Sequence, residues 1–262
     1  MLISCLRTLW ANDLAIATIT TFITFGITFG TIVSQVQADP ANLNQLFKNR
    51  SCPRCDLIDA NLRGADLSAT ILTEAKLQGA NLNDAFLIDA ELMDVDLQNA
   101  SLKNTNLSNV DLRDANLQDA NLQDANLKAA NLAIANLQGS ILLAANLSSA
   151  RLNSANLQGA VLINANMQNI NLVAANLSNT QLINASLVNA NLLNAQLINA
   201  NLRNANLKSA NLSSTNLTGA DLSGTILSDA NLANAVVAPP QLTKAWLCNT
   251  TMPDGTINNQ NC

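Results

Sequence analysis

A period of five residues governs most of this sequence. From Leu57 to Leu232 every fifth residue, thirty-six positions in all, is Leu, with Met167 as the single exception. The residue two places before each is small or apolar, most often Ala, and the other three positions are mainly polar. A strict period of five drifts around a helix by about 140° per repeat and does not match the two-residue alternation of a strand. An ordinary helix or strand therefore cannot keep this apolar pattern buried.

The spacing within each repeat predicts a solenoid. The small residue and the Leu are two apart, as on one side of a strand, so both can point inward while the Asn or Asp between them points outward. The remaining two residues must then turn the chain. Coils stacked about 4.8 Å apart let each backbone segment pair with the coils above and below.

The order of the outward side chains indicates how many repeats complete one coil. Five glutamines follow the central Leu at intervals of twenty residues: Gln78, Gln98, Gln118, Gln138 and Gln158. Two further sets share this spacing: Glu74, Asp94 and Asp114, and Leu143, Ile163 and Ile183. Four repeats per coil would place each set in one column on one face, whereas three would scatter the sets. The sequence therefore predicts a square coil of twenty residues.

Repeats such as ADLSA, ANLND, ANLQD and ANLRN follow the pattern A-[ND]-L-x-x, which resembles the pentapeptide-repeat family. The match covers residues 55–237, about 183 of the 262 residues. The resemblance implies an all-β fold, a right-handed quadrilateral β-helix (β-solenoid), and the repeat count predicts about nine coils. Residues 39–54 and 238–262 are then expected to form the N-terminal and C-terminal caps.

Both ends of a solenoid expose open strand edges, so caps are expected there. Residues 41–49 predict a short N-terminal capping helix, with Leu43, Leu46 and Phe47 placed on the first coil. Pro239-Pro240 interrupts the repeats. Beyond it four residues keep the five-residue register: Leu242, Leu247, Met252 and Ile257. We expect an irregular C-terminal cap in which imperfect coils continue almost to the last residue.

The first 38 residues carry export signals. An uncharged apolar run over residues 14–33 follows Arg7 and precedes Val36-Gln37-Ala38, with small residues at the positions that signal peptidases read. This pattern predicts a signal peptide over 1–38, cleaved after Ala38. The run is also long enough for a retained membrane anchor, and only that alternative implies membrane contact. Either outcome places the repeats outside the cytoplasm.

Four cysteines lie outside residues 1–38: Cys52, Cys55, Cys248 and Cys262. The predicted coils separate the first two from the last two by about 40 Å, which is beyond disulfide reach. Pairing is therefore expected within each end, Cys52 with Cys55 and Cys248 with Cys262. The same distance excludes a four-cysteine zinc site. The alternative for the C-P-R-C step, a thioredoxin-like redox pair, lacks a βαβ setting.

The residues around these cysteines add a second resemblance. The endings SCPRCDLIDANL and LCNTTMPDGTINNQNC are similar to the caps of exported cyanobacterial pentapeptide-repeat proteins. This resemblance implies a periplasmic or thylakoid-lumen location.

The composition argues against catalysis. There is no His and hence no imidazole base, and no phosphate-binding loop or EF-hand pattern occurs. We expect no enzyme activity and no cofactor. With a net charge of -5, nucleic acid is an unlikely direct partner, because like charges repel. The column of Glu74, Asp94 and Asp114 is either a solvated face or a cation site of carboxylates about 4.8 Å apart.

Two surface features could recognise a partner. Residues 56–124 hold thirteen acidic and four basic residues, net -9, whereas residues 125–220 hold no acidic and four basic ones, net +4. The second feature is a set of apolar residues directly after the central Leu, which form our candidate partner surface: Leu143, Ile163, Ile183, Val173 and Leu193. Such residues either form a contact surface or are present only because β-branched side chains favour extended structure.

We therefore expect an exported scaffold that binds an unidentified protein partner or a second copy of itself. Two alternatives remain open. Some cytoplasmic members of the family resemble B-form DNA in shape and charge and inhibit topoisomerases, but an export signal and a half without acidic residues weigh against DNA mimicry here. The other alternative is cation binding along the acidic column.

Overall fold

The computed structural model describes residues 39–262 of the chain. The predicted signal peptide or anchor, residues 1–38, lies outside the described residues. Within 39–262, no helix has both the length and the apolar character needed to cross a membrane.

Parallel backbone pairing between residues twenty apart holds the repeats together. The residue before each central Leu pairs with its equivalent on the next coil, from Ser51 with Ile71 to Asn231 with Thr251. In the middle of the stack, the Leu142 amide donates to the Val161 carbonyl at 2.7 Å. Four repeats therefore complete one coil, as the twenty-residue spacing of the side chains predicts, and each coil has four walls.

Every repeat contains a tight turn with one residue in the left-handed region. The amide of the small residue donates to the preceding central carbonyl, for example Ala145 to Leu142 at 3.1 Å. From Arg54 to Asn234, every fifth residue has a φ between 53° and 72°. Asn, Asp and Gly adopt this region most readily, which explains their frequency at the last position of the repeat.

The core is a stack of Leu layers separated by small side chains. Each central residue from Leu57 to Leu232 is at most 2% exposed, and Ala fills most of the remaining interior positions. Most buried Thr residues at the small position bond to backbone carbonyls, as Thr180 does to Leu177 at 2.7 Å. These bonds explain why the repeat accepts Thr in place of Ala. Each buried Leu contributes about 1.5 to 3 kcal/mol before the cost of ordering its repeat.

Helix α1, Pro40–Asn49, precedes the first coil. It starts one residue earlier than predicted because Pro40 has a backbone suited to the first helical position. The Asp39 side chain accepts from the Ala41 amide at 2.9 Å. Leu46 is buried in the core and Leu43 is partly buried against it. The placement of Phe47 on the coil was wrong: Phe47 is 48% exposed, because residues adjacent in a helix point about 100° apart.

The C-terminal segment contains helix α2, Pro239–Leu242, and strands β1, Thr250–Thr251, and β2, Ile257–Asn258. Leu242 and Leu247 are buried, as their register predicts. Ile257 does not continue the coil, and that expectation was wrong. The chain reverses after Met252, so β2 pairs antiparallel with β1 and Ile257 is 54% exposed.

The turn geometry predicts different costs at neighbouring positions. Ser149 has a φ of 60°, whereas the φ of Ser148 in the same repeat is not positive. Ser149→Val should lower the free energy of unfolding by about 1 to 2 kcal/mol, because a β-branched residue is poorly tolerated at positive φ. Denaturant titration measures the change, with Ser148→Val as the matched control. Equal losses in the two variants would contradict the assignment.

Candidate functional site

Leu143, Ile163 and Ile183 stand one above another on one wall of the solenoid. The Ala144 amide donates to the Ile163 carbonyl at 2.9 Å, and the Asn164 amide donates to the Ile183 carbonyl at 3.0 Å. All three side chains are half-buried. The column that the spacing predicts is therefore present, and its role as a contact surface stays a prediction.

Two further apolar residues widen this column. Ile141 and Val161 lie just before the central Leu of the same repeats and pair directly with each other. Ile141 is 37% exposed. Our sequence reasoning missed both, although the runs ILL at 141–143 and VLI at 161–163 place apolar residues at two outward positions of one repeat. We call Ile141, Leu143, Val161, Ile163 and Ile183 the apolar strip, and their wall the strip wall.

Val173 and Leu193 do not belong to this surface. They stack on each other, since the Ala174 amide donates to the Leu193 carbonyl at 2.9 Å. Val173 follows Ile163 by ten residues, which is half of a twenty-residue coil. The two residues therefore lie on the opposite wall. The five predicted residues therefore do not form one continuous surface, because only residues twenty apart share a column.

Polar side chains border the apolar strip along the stack. On the coil above, the Asn201 amide group donates to Gln181 at 3.1 Å. Beside Asn201, the Nε atom of Arg203 lies 4.0 Å from a carboxylate oxygen of Asp221. On the coil below lie Asn121 and Gln123. An apolar centre with a polar border is the usual anatomy of a protein contact surface.

Asparagine ladders occupy the two walls next to the strip wall. On one, the Asn136 side chain donates to Asn116 at 3.2 Å and accepts from Asn156 at 3.2 Å. On the other, Asn146 donates to Asn126 at 3.2 Å. The Asn136 oxygen also accepts from the backbone amide two residues later, at 3.3 Å. These side-chain amides hydrogen-bond to one another and to the backbone, so no ligand is needed to explain why Asn is abundant.

The predicted acidic column exists, but a basic residue neutralises its lower end. Two nitrogens of Arg54 donate to the two carboxylate oxygens of Glu74, at 2.8 and 3.0 Å. These hydrogen bonds hold the pKa of Glu74 below its usual range. Over residues 39–262, no group of three or more His, Cys, Asp or Glu is placed to hold a metal ion. Asp94 and Asp114 continue the column above Glu74.

A second ion pair lies on the same wall. An Arg113 nitrogen is 2.6 Å from a carboxylate oxygen of Asp111. The Arg113 side chain, as a hydrogen-bond donor, lowers the pKa of Asp111. Both ion pairs are at least partly exposed to solvent, so each contributes little to stability. They organise the acidic surface and leave it net negative.

The sequence profile of the family described as pentapeptide repeats matches the chain in eight copies. The matched ranges are 52–87, 90–128, 130–169, 140–179, 175–213 and 205–237. The chain belongs to the pentapeptide-repeat family. The matched ranges contain the whole apolar strip, the asparagine ladders and the acidic column.

Several solved structures are similar to this pentapeptide-repeat protein. HetL from the cyanobacterium Nostoc sp. strain PCC 7120, involved in heterocyst differentiation regulation, is 29% identical, with 83% of this chain and 98% of HetL covered and a TM-score of 0.40. Rfr23 from the cyanobacterium Cyanothece 51142 is 31% identical over 53% of this chain and 96% of its own, with a TM-score of 0.25. A pentapeptide-repeat protein from the Arabidopsis thaliana thylakoid lumen is 25% identical over 47% and 79%, with a TM-score of 0.28. The sequence matches no curated protein.

The four cysteines within residues 39–262 of this pentapeptide-repeat protein lie in two close pairs. The sulfurs of Cys52 and Cys55 are at disulfide distance, with Cα atoms 5.4 Å apart. Cys248 and Cys262 are likewise paired, with Cα atoms 4.9 Å apart. Cys52 occupies a central Leu position and Cys55 a small position, and both are buried. Burial in the first coil favours a structural role for this pair over redox exchange, which needs solvent access.

The Arg54–Glu74 pair predicts a titration difference. A lowered pKa adds stability above the ordinary range of Glu, and this stability is lost as the pH falls through the lowered value. Arg54→Gln should raise the titration midpoint of Glu74 towards the ordinary value for Glu. Carbon-13 NMR of the Glu74 carboxyl group measures it. Arg113→Gln is the control and should leave Glu74 unchanged, and a midpoint insensitive to Arg54→Gln would disprove the pairing.

Proposed function

We propose that this pentapeptide-repeat protein is a non-catalytic, exported scaffold that binds protein through the apolar strip. The observation that carries this proposal is the strip itself. Five apolar side chains on three successive coils occupy one wall, while the adjacent walls carry satisfied asparagine ladders. A contiguous patch of this kind calls for a partner, whereas scattered apolar residues do not.

Strand propensity does not account for the strip. Ile and Val favour extended structure, but Leu143 is not β-branched, and Ile141 stands above Asn121 in a position that Asn occupies in most repeats. At Asn121, one coil below Ile141, the side-chain oxygen accepts from the Gln123 amide at 3.1 Å. Ile141 cannot make this bond. The strip therefore gives up a local hydrogen bond in exchange for exposed apolar surface.

Export and the finer architecture are part of the proposal. We infer that residues 1–38 direct the chain to the periplasm or thylakoid lumen, and that the repeats wind in a right-handed sense through about nine coils between two caps. The uncharged run before Val36-Gln37-Ala38 supports export. So do the two cysteine pairs at disulfide distance, since disulfides persist in oxidising compartments.

The alternatives have less support. Along the repeats, acidic residues stop at Asp124 and resume only at Asp221. A mimic of DNA needs negative charge along its whole length, so topoisomerase inhibition ranks second. Cation binding ranks third, because Arg54 occupies the Glu74 carboxylate and calcium usually takes six to eight oxygen ligands.

The proposal is tested by capture from periplasmic or lumenal extract after cross-linking. Replacing Ile163 and Ile183 together by Lys should reduce the captured protein at least tenfold, because two charges interrupt the centre of the strip. The matched control replaces Val173 and Leu193 by Lys on the opposite wall. These residues occupy the same repeat position and are also half-buried, so the effect on stability is similar. Capture that survives the strip substitutions would refute the proposal.

A further inference from the structure

We propose that the strip wall of one chain packs against the strip wall of a second copy, with the two solenoids antiparallel and a two-fold axis near Ile163. The inference rests on the proposed function, since it names the protein that covers the apolar strip. Two-fold dimers are the commonest assemblies of identical chains, and each uses one self-complementary surface. Three features of the strip wall meet that requirement.

The first feature is the symmetry of the apolar strip. Ile163 is the middle residue of its column, with Leu143 one coil below and Ile183 one coil above. Rotation about an axis through Ile163 places Ile163 opposite its own copy and Leu143 opposite Ile183 of the second chain. Val161 likewise meets Val161. Apolar side chains are therefore opposed across most of the strip.

The second feature is the distribution of charge along the stack. Residues 56–124 carry a net charge of -9 and residues 125–220 a net charge of +4. A parallel pair of solenoids would place the acidic segments side by side. An antiparallel pair with its axis at Ile163 instead places residues 106–124, net -3, beside residues 202–220 of the other chain, net +2. Complementary charge selects the antiparallel orientation and steers the encounter.

The third feature is the pattern of charged residues on the strip wall. Arg203 lies two coils above Ile163, and Gln123 and Asp124 lie two coils below it. Rotation about Ile163 therefore brings Arg203 of one chain to the level of Asp124 of the other. Lys103 lies three coils below Ile163, and the same rotation brings it to the level of Asp221 of the other chain. In a parallel pair, Lys103 would instead meet Lys103.

The contacts within one chain leave these charged side chains free to contact a second chain. Arg203 and Asp221 are 4.0 Å apart, and their side chains are 60% and 47% exposed. Lys103 and Asp124 are also exposed. Such a loose surface pair contributes little to stability, so its partners can turn towards a second chain at small cost.

Single cysteines introduced into the full-length chain test the arrangement. Leu143→Cys and Ile183→Cys chains, when mixed and mildly oxidised, should form a disulfide-linked dimer. Leu143→Cys alone should not, because the two copies of residue 143 lie two coils apart along the stack, about 10 Å, beyond the Cα separation that a disulfide spans. Ile163→Cys should link to itself. The unmodified chain, with its native cysteines, gives the background.

Sedimentation over a range of concentrations provides the second measurement. The full-length chain should dimerise, and Ile163→Lys combined with Ile183→Lys should raise the dimer Kd at least tenfold. Val173→Lys combined with Leu193→Lys should leave the dimer Kd within twofold.

Two outcomes overturn the dimer. Linked dimers of Leu143→Cys alone would indicate parallel packing, and a chain that stays monomeric without any linking would exclude self-association. In the second case, strip-dependent capture of another protein still supports the proposed function, so the two proposals fail separately.

Discussion

The structure depends on parallel backbone pairing between residues twenty apart. Each coil satisfies the amides and carbonyls of its neighbours, and the Leu columns fill the space that the pairing encloses. The inward positions are thereby fixed to Leu and small residues, whereas the outward positions bear few packing constraints. A wall can therefore carry an asparagine ladder over four coils and an apolar strip over three without any change in the backbone. This freedom allows a repetitive chain to carry a local binding surface.

The turn imposes the second constraint. One residue in each repeat has positive φ from Arg54 to Asn234, a conformation that costs most L-residues energy. Asn, Asp and Gly reduce that cost, and Asn also bonds to the neighbouring coils, as Asn184 does to Asn164 at 3.2 Å. The abundance of Asn is thus explained by backbone geometry and by the ladders. The positions where Asn is missing, such as Ile141 and Val161, then become informative.

Much of this arrangement could be predicted from the sequence because the period couples inward and outward positions. The spacing of Leu143, Ile163 and Ile183 predicts both the square coil and their common column. Prediction failed where the side-chain direction depends on rotation around a helix or on a reversal of the chain. Phe47 points away from the coil on its helix, and Ile257 lies outside the stack because the chain reverses after Met252. Val173 shares the repeat position of the strip residues but lies on the opposite wall, because a shared repeat position does not imply a shared wall. The Arg54–Glu74 pair depends on side-chain conformations, which no periodicity specifies.

The twenty-residue register also determines how such a surface changes during evolution. Loss of one repeat between Ile163 and Ile183 would leave every Leu in the core, yet it would turn all later residues by a quarter of a coil and move Ile183 to a neighbouring wall. Loss of four repeats would instead shorten the molecule and keep each later residue on its original side. Deletions of five residues and of twenty residues thus have different consequences: the first changes which residues share a wall, and the second only shortens the stack.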